Sequence, residues 1–165
     1  MKRLPIAVTF MGIALAAGNA EAAKVNMPKE GNYEFVFCVV DQAQTMSEGD
    51  NVFVSHYRGI AHVRTDQPGQ PFDRTSGTCY GIFANLKGRK QGFGVCEIVD
   101  LDGDKWWMEY HDSADGASGT YTAAHGIGKY AGMTLRGEYR VEFWPTPKDA
   151  AFQVCNPNKG TYKLK

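Results

Sequence analysis

The chain has 165 residues, of which 43% are hydrophobic and 22% are charged, the size and composition of one globular domain. Its 18 Lys and Arg residues balance its 18 Asp and Glu residues, so the formal net charge is zero. This balance argues against a nucleic-acid-binding protein, which needs a basic face, and against an acidic solvating tail.

The N-terminal segment has the three parts of a secretory signal. Lys2 and Arg3 form a positive region. The apolar run that follows, IAVTFMGIALAA, is too short to span a bilayer, which takes about 20 helical residues. Ala20-Glu21-Ala22 has the small-x-small pattern of a cleavage site. We therefore expect a signal peptide over residues 1–22, cleaved near Ala22.

The remaining residues, 23–165, are expected to form a single domain. No later run is long and apolar enough to span a membrane, so no membrane span is expected. The sequence therefore predicts a periplasmic or secreted protein.

Four cysteines follow the predicted signal: Cys38, Cys79, Cys96 and Cys155. In an exported chain an even number of cysteines indicates disulfides, here two with three possible connectivities. Zinc is the competing interpretation, but a zinc site needs closely spaced ligand pairs that this sequence lacks.

Most of the chain alternates short β-rich stretches with Gly, Asp and Pro turns. These stretches are residues 32–40, 51–64, 78–86, 91–101, 104–111, 119–125, 135–144 and 161–164. Strands at this spacing, joined by hairpins, are typical of an all-β sandwich or barrel. We expect a closed, calycin-like antiparallel barrel of about eight strands, because closure leaves no exposed strand edge.

Asp102-Gly103 is the strongest turn signal in the chain. As a two-residue type I′ hairpin turn it sets Glu97 opposite Met108 across two strands. The same register places large side chains opposite one another on one face, which supports the hairpin.

Lys87-Gly88, treated as a second two-residue turn, sets Cys79 directly opposite Cys96. Directly opposed strand residues lie within disulfide reach. We therefore expect these two to pair, which leaves the first and last cysteines for each other. A longer loop through Gly92 is the alternative and would shift this pairing.

Together the two registers define one shared face, which we expect to be the barrel interior. With Asp115-Gly116 as a further turn, this face carries Tyr80, Ile82, Ala84, Phe93, Val95, Glu97, Val99, Trp106, Met108, Tyr110, Tyr121, Ala123 and His125.

Two segments resemble a known family. GIGKYAG at residues 126–132 resembles the signature of the allene oxide cyclase and dirigent superfamily of β-barrels. GVCEIVD at residues 94–100, followed by DGDK, resembles a motif of exported bacterial relatives. The resemblance spans roughly residues 76–143 and implies an eight-stranded antiparallel barrel with an apolar cavity. Characterised members cyclise an unsaturated fatty-acid epoxide or guide the coupling of phenolic radicals; no catalytic residue is carried over.

Glu97 is the sharpest catalytic candidate. The predicted register surrounds it with apolar side chains, and a desolvated carboxyl group can act as general acid or base. His125 is expected to share the cavity, and Arg58 is a candidate partner for an anion. The alternative is a structural Glu97 paired with an Arg or a tyrosine hydroxyl, and a register slip of one residue would turn it outward.

The inward aromatic residues could stack on a ligand, although aromatic residues in barrels more often pack against each other. The predicted ligand-binding residues are Tyr80, Trp106, Met108, Tyr110, Tyr121 and Arg58.

No metal or cofactor is expected. The calcium-like run beginning at Asp100 has Lys105 and His111 where an EF-hand needs Gly and Glu. His56 and His62 lack the spacing of a strand ligand pair. A formal dinucleotide fingerprint begins at Gly126, but no helix follows it, which favours a structural hairpin.

Three functions remain open. The leading one is an exported barrel that binds a small apolar or aromatic molecule. The second is an isomerase or cyclase acting on an unsaturated or phenolic substrate, with Glu97 as the acid–base group. The third is a structural envelope protein with a filled core. Neither the ligand nor the oligomeric state follows from the sequence.

Overall fold

The computed structural model describes residues 27–49 and 51–165, so the predicted signal peptide lies outside the described residues. Eight antiparallel strands form a closed barrel in sequence order, which confirms the predicted fold class. The strands are β1 (Glu30–Ser47), β2 (Val52–Arg64), β3 (Ser76–Leu86), β4 (Arg89–Val99), β5 (Lys105–Asp112), β6 (Ser118–Gly126), β7 (Thr134–Arg140) and β8 (Phe152–Lys163). No helix in the described part of the chain is long and apolar enough to cross a membrane.

Strand β1 shows how the sequence builds the barrel wall. Tyr33, Phe35, Phe37 and Val39 are all buried and follow one another at a period of two, so they occupy the inner face. The alternation continues to Asp41, which is also buried. Burying these rings stabilises the strand, and β1 accordingly runs further than the predicted residues 32–40.

One end of the barrel is closed by packed aromatic rings. Phe72, from the β2–β3 loop, packs edge-on against Tyr33 and Tyr162 and also contacts Trp106. Tyr130 joins this cluster from a single 3-10 turn, Gly128–Tyr130, within the GIGKYAG segment. That segment therefore belongs to the closed end, where it supplies a ring to the core.

Both predicted disulfides are confirmed. Cys79–Cys96 joins β3 to β4 on the inner face, where the two residues are direct cross-strand partners. Cys38–Cys155 joins β1 to β8, the first and last strands of the barrel. The second bridge therefore fastens the strand pair at which the barrel closes.

The Lys87-Gly88 turn forms as predicted. Both residues have positive φ, 56° and 89°, as a type I′ turn requires. Leu86 pairs with Arg89 beside the turn, and the register continues from there to the disulfide.

The prediction for Asp102-Gly103 is wrong. Of the two residues of this turn, Gly103 alone has a positive φ, of 84°, and its N–H donates to the carbonyl of Asp100 at 3.1 Å. This is a type I turn followed by a bulge, which adds one residue to the connection. Glu97 therefore pairs with Trp107 instead of Met108.

Because side chains alternate between the two faces of a strand, this slip of one residue exchanges the inward and outward side chains of β3 and β4 relative to the prediction. The residues predicted to face inward but found on the outer face are Tyr80, Ile82, Ala84, Phe93, Val95, Glu97 and Val99. The relative pairing of β3 with β4 is nevertheless as predicted, because the Lys87-Gly88 turn is correct.

A second irregularity lies in β6. The predicted register holds as far as Met108, which pairs with Ala123. One step further, Trp107 pairs with His125, so Ala124 is the extra residue of a bulge. His125 is thereby turned to the outer face, contrary to the prediction.

Candidate ligand cavity

The end of the barrel opposite Phe72 contains a cavity of about 310 Å³. It lies beneath the β1–β2, β3–β4 and β5–β6 hairpins and the β7–β8 connection. The aromatic side chains along its wall include Phe37, Phe53, Phe83, Tyr121, Phe143 and Phe152. The lumen of this half of the barrel is thus only partly filled by side chains, as small barrels that hold one ligand require.

Asp41 is the most unusual residue of the cavity wall. It is only 1% exposed, and within the described residues its Oδ1 has no hydrogen-bond partner. Burial raises the pKa of Asp41 from 3.8 to about 7. Gly59 is its direct partner on β2, and a Cβ at Gly59 would collide with the carboxylate. Glycine at that position therefore makes room for a buried acid.

A second acid, Asp112, reaches the cavity from the end of β5. It accepts a hydrogen bond from the hydroxyl of Tyr139 on β7. Burial raises the pKa of Asp112, although the Tyr139 hydrogen bond works in the opposite direction. Gly92 on the adjacent strand leaves the space that this carboxylate occupies.

Two tyrosine hydroxyls hydrogen-bond to each other in the same cavity. They belong to Tyr57 on β2 and Tyr110 on β5. Burial is the main cause that raises the pKa of Tyr57, and the nearby charges of Asp112 and Asp41 raise it further. The hydroxyl pair therefore lies within electrostatic reach of both acids, and the five polar groups form one buried cluster.

The cavity wall carries acids without bases. Asp41 and Asp112 line it, whereas its described lining residues include no Lys, Arg or His. Any charge in the cavity is consequently negative, and a desolvated carboxylate there has no cationic side chain to balance it.

Three of the predicted ligand-binding residues do line the cavity: Met108, Tyr110 and Tyr121. Trp106 faces inward but is fully buried in the aromatic cluster of the closed end, so it does not reach the cavity.

The remaining predicted site residues lie on the outer face. The expectation of an inward position is wrong for Glu97, Tyr80 and His125, whereas the sequence left the facing of Arg58 open. Glu97 has 44% of its side chain exposed and forms an ion pair of 2.9 Å with Lys105. Tyr80 is 57% exposed and accepts a hydrogen bond from Arg58 Nε at 3.1 Å. His125 packs against the outward ring of Trp107.

The polar cluster itself was missed by sequence reasoning. Asp41 carried a signal, because it continues the period-two pattern of Phe37 and Val39. Asp112 carried the same kind of signal, because it continues the period-two pattern of Met108 and Tyr110. Tyr139 carried none, since its meeting with Asp112 depends on the register of three strands.

No group of three or more His, Cys, Asp or Glu residues in the described ranges is arranged to hold a metal ion. Asp100 and Asp102 at the closed end instead form ion pairs with Lys129.

The geometry defines a closed, eight-stranded antiparallel barrel with one plugged end and one acidic, aromatic-lined cavity. No family model matches the chain, and no curated protein matches its sequence. A solved structure that is similar is that of the pterocarpan synthase dirigent protein GePTS1, with a TM-score of 0.53 and 10% identity. The match covers 83% of this chain and 86% of that one. The fold is therefore dirigent-like, while the resemblance to allene oxide cyclases and bacterial relatives stays a prediction.

Proposed function

We propose that the protein binds a small apolar or aromatic molecule in the barrel cavity. The observation that carries this proposal is the cavity of about 310 Å³, whose wall is mainly apolar and aromatic. Its volume lies at the lower end of the range for small-molecule sites, which are mostly apolar with a few polar groups. Met108, Tyr110 and Tyr121 are the proposed contacts from the sequence, joined by the buried polar cluster.

Binding is tested with N-phenyl-1-naphthylamine, an uncharged probe whose fluorescence rises in apolar surroundings. Val141 lines the cavity, and Val141→Trp should fill part of it and weaken probe binding by about tenfold or more. Thr120→Trp is the matched control, because Thr120 is exposed on the outer face of β6. Equal binding by both variants would place the probe outside the cavity and contradict the proposal.

Acid–base catalysis is the second candidate function, with Asp41 in the role that the sequence suggested for Glu97. The observation that favours it is a buried carboxyl group whose pKa is about 7, because general acids and bases work best near the operating pH. The class of reaction is an isomerisation or cyclisation of an unsaturated or phenolic substrate by proton transfer.

The exchange of hydrogen for deuterium in 4-phenylbutan-2-one tests this candidate without knowledge of the substrate. The Asp41 carboxylate takes a proton from the carbon beside the carbonyl, and the electron pair of the broken C–H bond moves to the carbonyl oxygen to give an enolate. The proton on Asp41 exchanges with deuterium of the solvent, and the enolate carbon takes up deuterium to regenerate the ketone and the carboxylate. Proton NMR should show exchange faster than in buffer, and Asp41→Asn should abolish the difference while probe binding persists. Glu97→Gln should leave exchange unchanged. Exchange that survives Asp41→Asn would rule out this residue.

A structural envelope protein, the third possibility, is favoured only if both tests fail. The unfilled cavity supports binding over a purely structural role.

Export of a single domain over residues 23–165 remains part of the proposal, and the two disulfides support it. Expression of the full chain in a bacterial host should place the protein outside the cytoplasm. N-terminal sequencing should then begin at Ala23. Recovery of the intact chain from the cytoplasm would contradict export.

A further inference from the structure

Among the described residues, the Oδ1 atom of Asp41 lacks what almost every buried polar atom has, a hydrogen-bond partner. The side chain is 1% exposed and lines the cavity. Leaving a buried acceptor unsatisfied costs about 1–3 kcal/mol, and more for a charged group. A ligand that brings a donor to Asp41 recovers this cost.

The wall around Asp41 also indicates the charge of that donor. Asp112 is the second carboxyl group of the cavity, and no described lining residue is basic. The remaining titratable side chains of the cavity wall are the tyrosines Tyr57, Tyr110, Tyr121 and Tyr139, whose pKa values are all raised, chiefly by burial. These hydroxyls are therefore neutral, and the site offers negative charge alone.

Aromatic rings complete the environment. The faces of Tyr and Phe rings attract cations, more strongly when water is excluded. The ring centroids of Phe152 and Tyr57 lie 5.5 Å apart, and both rings line the cavity wall together with Asp41.

We propose that the ligand of the cavity is an organic amine with an apolar or aromatic body, whose ammonium group donates to the Asp41 carboxylate. This inference rests on the proposed binding function and names the chemical class of its ligand. A carboxylate ligand is excluded by like charge and by the absence of a basic partner in the lining. A neutral alcohol can also donate to the carboxylate, but it lacks the attraction between opposite charges that an ammonium group adds, and this attraction is stronger where water is excluded.

Three probes of one shape test the proposal: 4-phenylbutylamine, 4-phenylbutan-1-ol and 4-phenylbutanoic acid. Each is titrated into the complex of the protein with N-phenyl-1-naphthylamine at pH 8 and low salt, and displacement is followed by the loss of fluorescence. The amine should bind at least about tenfold more tightly than the alcohol, and the acid should bind most weakly.

Asp41→Asn keeps the shape of the side chain and removes its charge. This variant should weaken binding of the amine by about tenfold or more and change the affinity for the alcohol by less than about threefold. Glu97→Gln, which removes an exposed acid from the outer face, is the control and should change neither.

The wild-type protein provides a measurement that needs no variant. Because the pKa of Asp41 is about 7, the amine affinity should fall as the pH is lowered from 8 to 5.5, while the alcohol affinity stays level. The fall should approach tenfold per pH unit below that pKa if Asp41 alone is responsible.

Each remaining outcome overturns the inference in a recognisable way. If the alcohol binds as tightly as the amine, or if Asp41→Asn leaves the amine unchanged, the cation site is wrong but ligand binding stands. If none of the three probes displaces N-phenyl-1-naphthylamine, the amine class is again wrong. If N-phenyl-1-naphthylamine itself does not bind, the proposed function falls with it.

Discussion

The buried carboxyl group of Asp41 makes the stability of the folded chain depend on pH. The folded protein holds this proton up to about pH 7, whereas the unfolded chain releases it near the ordinary value of 3.8. Folding is therefore accompanied by the uptake of a proton at any pH between about 4 and about 7. Because the folded state binds more protons, the free energy of unfolding falls as the pH rises from about 4 to about 7.

We expect Asp41→Asn to remove this dependence. The variant should be more stable than the wild type at pH 8, by at most about 4 kcal/mol for a shift of this size, and the difference should disappear towards pH 4. Urea unfolding followed by tryptophan fluorescence at both pH values measures it. A constant difference between the two proteins across this range would show that Asp41 ionises in the folded state as freely as in the unfolded one.

Gly92 and Asp112 form a second residue-scale pair, in which one residue supplies space and the other fills it. A Cβ at Gly92 would collide with the Asp112 carboxyl group. We expect Gly92→Ala to lower the free energy of unfolding by about 1–3 kcal/mol, as overpacking does. In an Asp112→Ala background the same substitution should lower it by at least about 1 kcal/mol less.

Gly94→Ala is the matched control for this cycle, because its Cβ would meet the hydroxyl of Tyr110 and also the backbone carbonyl of Tyr80, which belongs to the wall itself. Asp112→Ala cannot relieve that collision. Chemical unfolding of the single and double variants gives both coupling energies, and equal coupling for Gly92 and Gly94 would contradict the assignment.

At the level of the strand connections, two similar dipeptides formed different turns. Lys87-Gly88 places both residues at positive φ, whereas Asp102-Gly103 places only its glycine there. The reason lies with Asp100, whose carboxylate accepts hydrogen bonds from the N–H groups of Asp102 and Asp104 at 2.9 and 3.1 Å. An Asp at the first position favours the type I turn that is seen.

The sequence was sufficient for the barrel, its two disulfides and the registers set by Lys87-Gly88 and Asp115-Gly116. It was insufficient for the facing of Glu97, because an Asp-Gly pair fits two turns that differ by one residue. The bulge at Ala124 could not be predicted either, because no turn residue marks its position in the sequence. Which side chains face inward depends on the number of residues in each turn, so the extra residue at Asp102-Gly103 was enough to place the candidates on β3 and β4, Glu97 among them, on the wrong face.

We expect Lys87→Gly to stabilise the protein by about 0.5–1 kcal/mol. Lys87 holds a φ of 56°, which is unfavourable for a residue with a Cβ and favourable for glycine. Arg89→Gly, at the first residue of β4, should destabilise because glycine weakens a strand. Thermal unfolding of both variants decides whether the gain belongs to the turn, and a loss for Lys87→Gly would contradict it.

The whole molecule separates stability from binding along the barrel axis. The end closed by Phe72 holds the packed aromatic core, while the opposite end carries the cavity and its buried acids. The two disulfides also have separate places: Cys79–Cys96 lines the cavity, whereas Cys38–Cys155 links the first and last strands and does not line it. Their removal should therefore have different consequences.

Replacing Cys38 and Cys155 by Ala should cost more stability than replacing Cys79 and Cys96. The bridges span 117 and 17 residues, and the loop-entropy model assigns about 5 and about 3 kcal/mol to loops of these lengths. Binding of N-phenyl-1-naphthylamine should show the reverse order, because only the second pair touches the cavity. Urea unfolding and probe titration on the same two variants test both statements, and a variant pair that ranks identically in the two measurements would mean that barrel closure and the cavity are not independent.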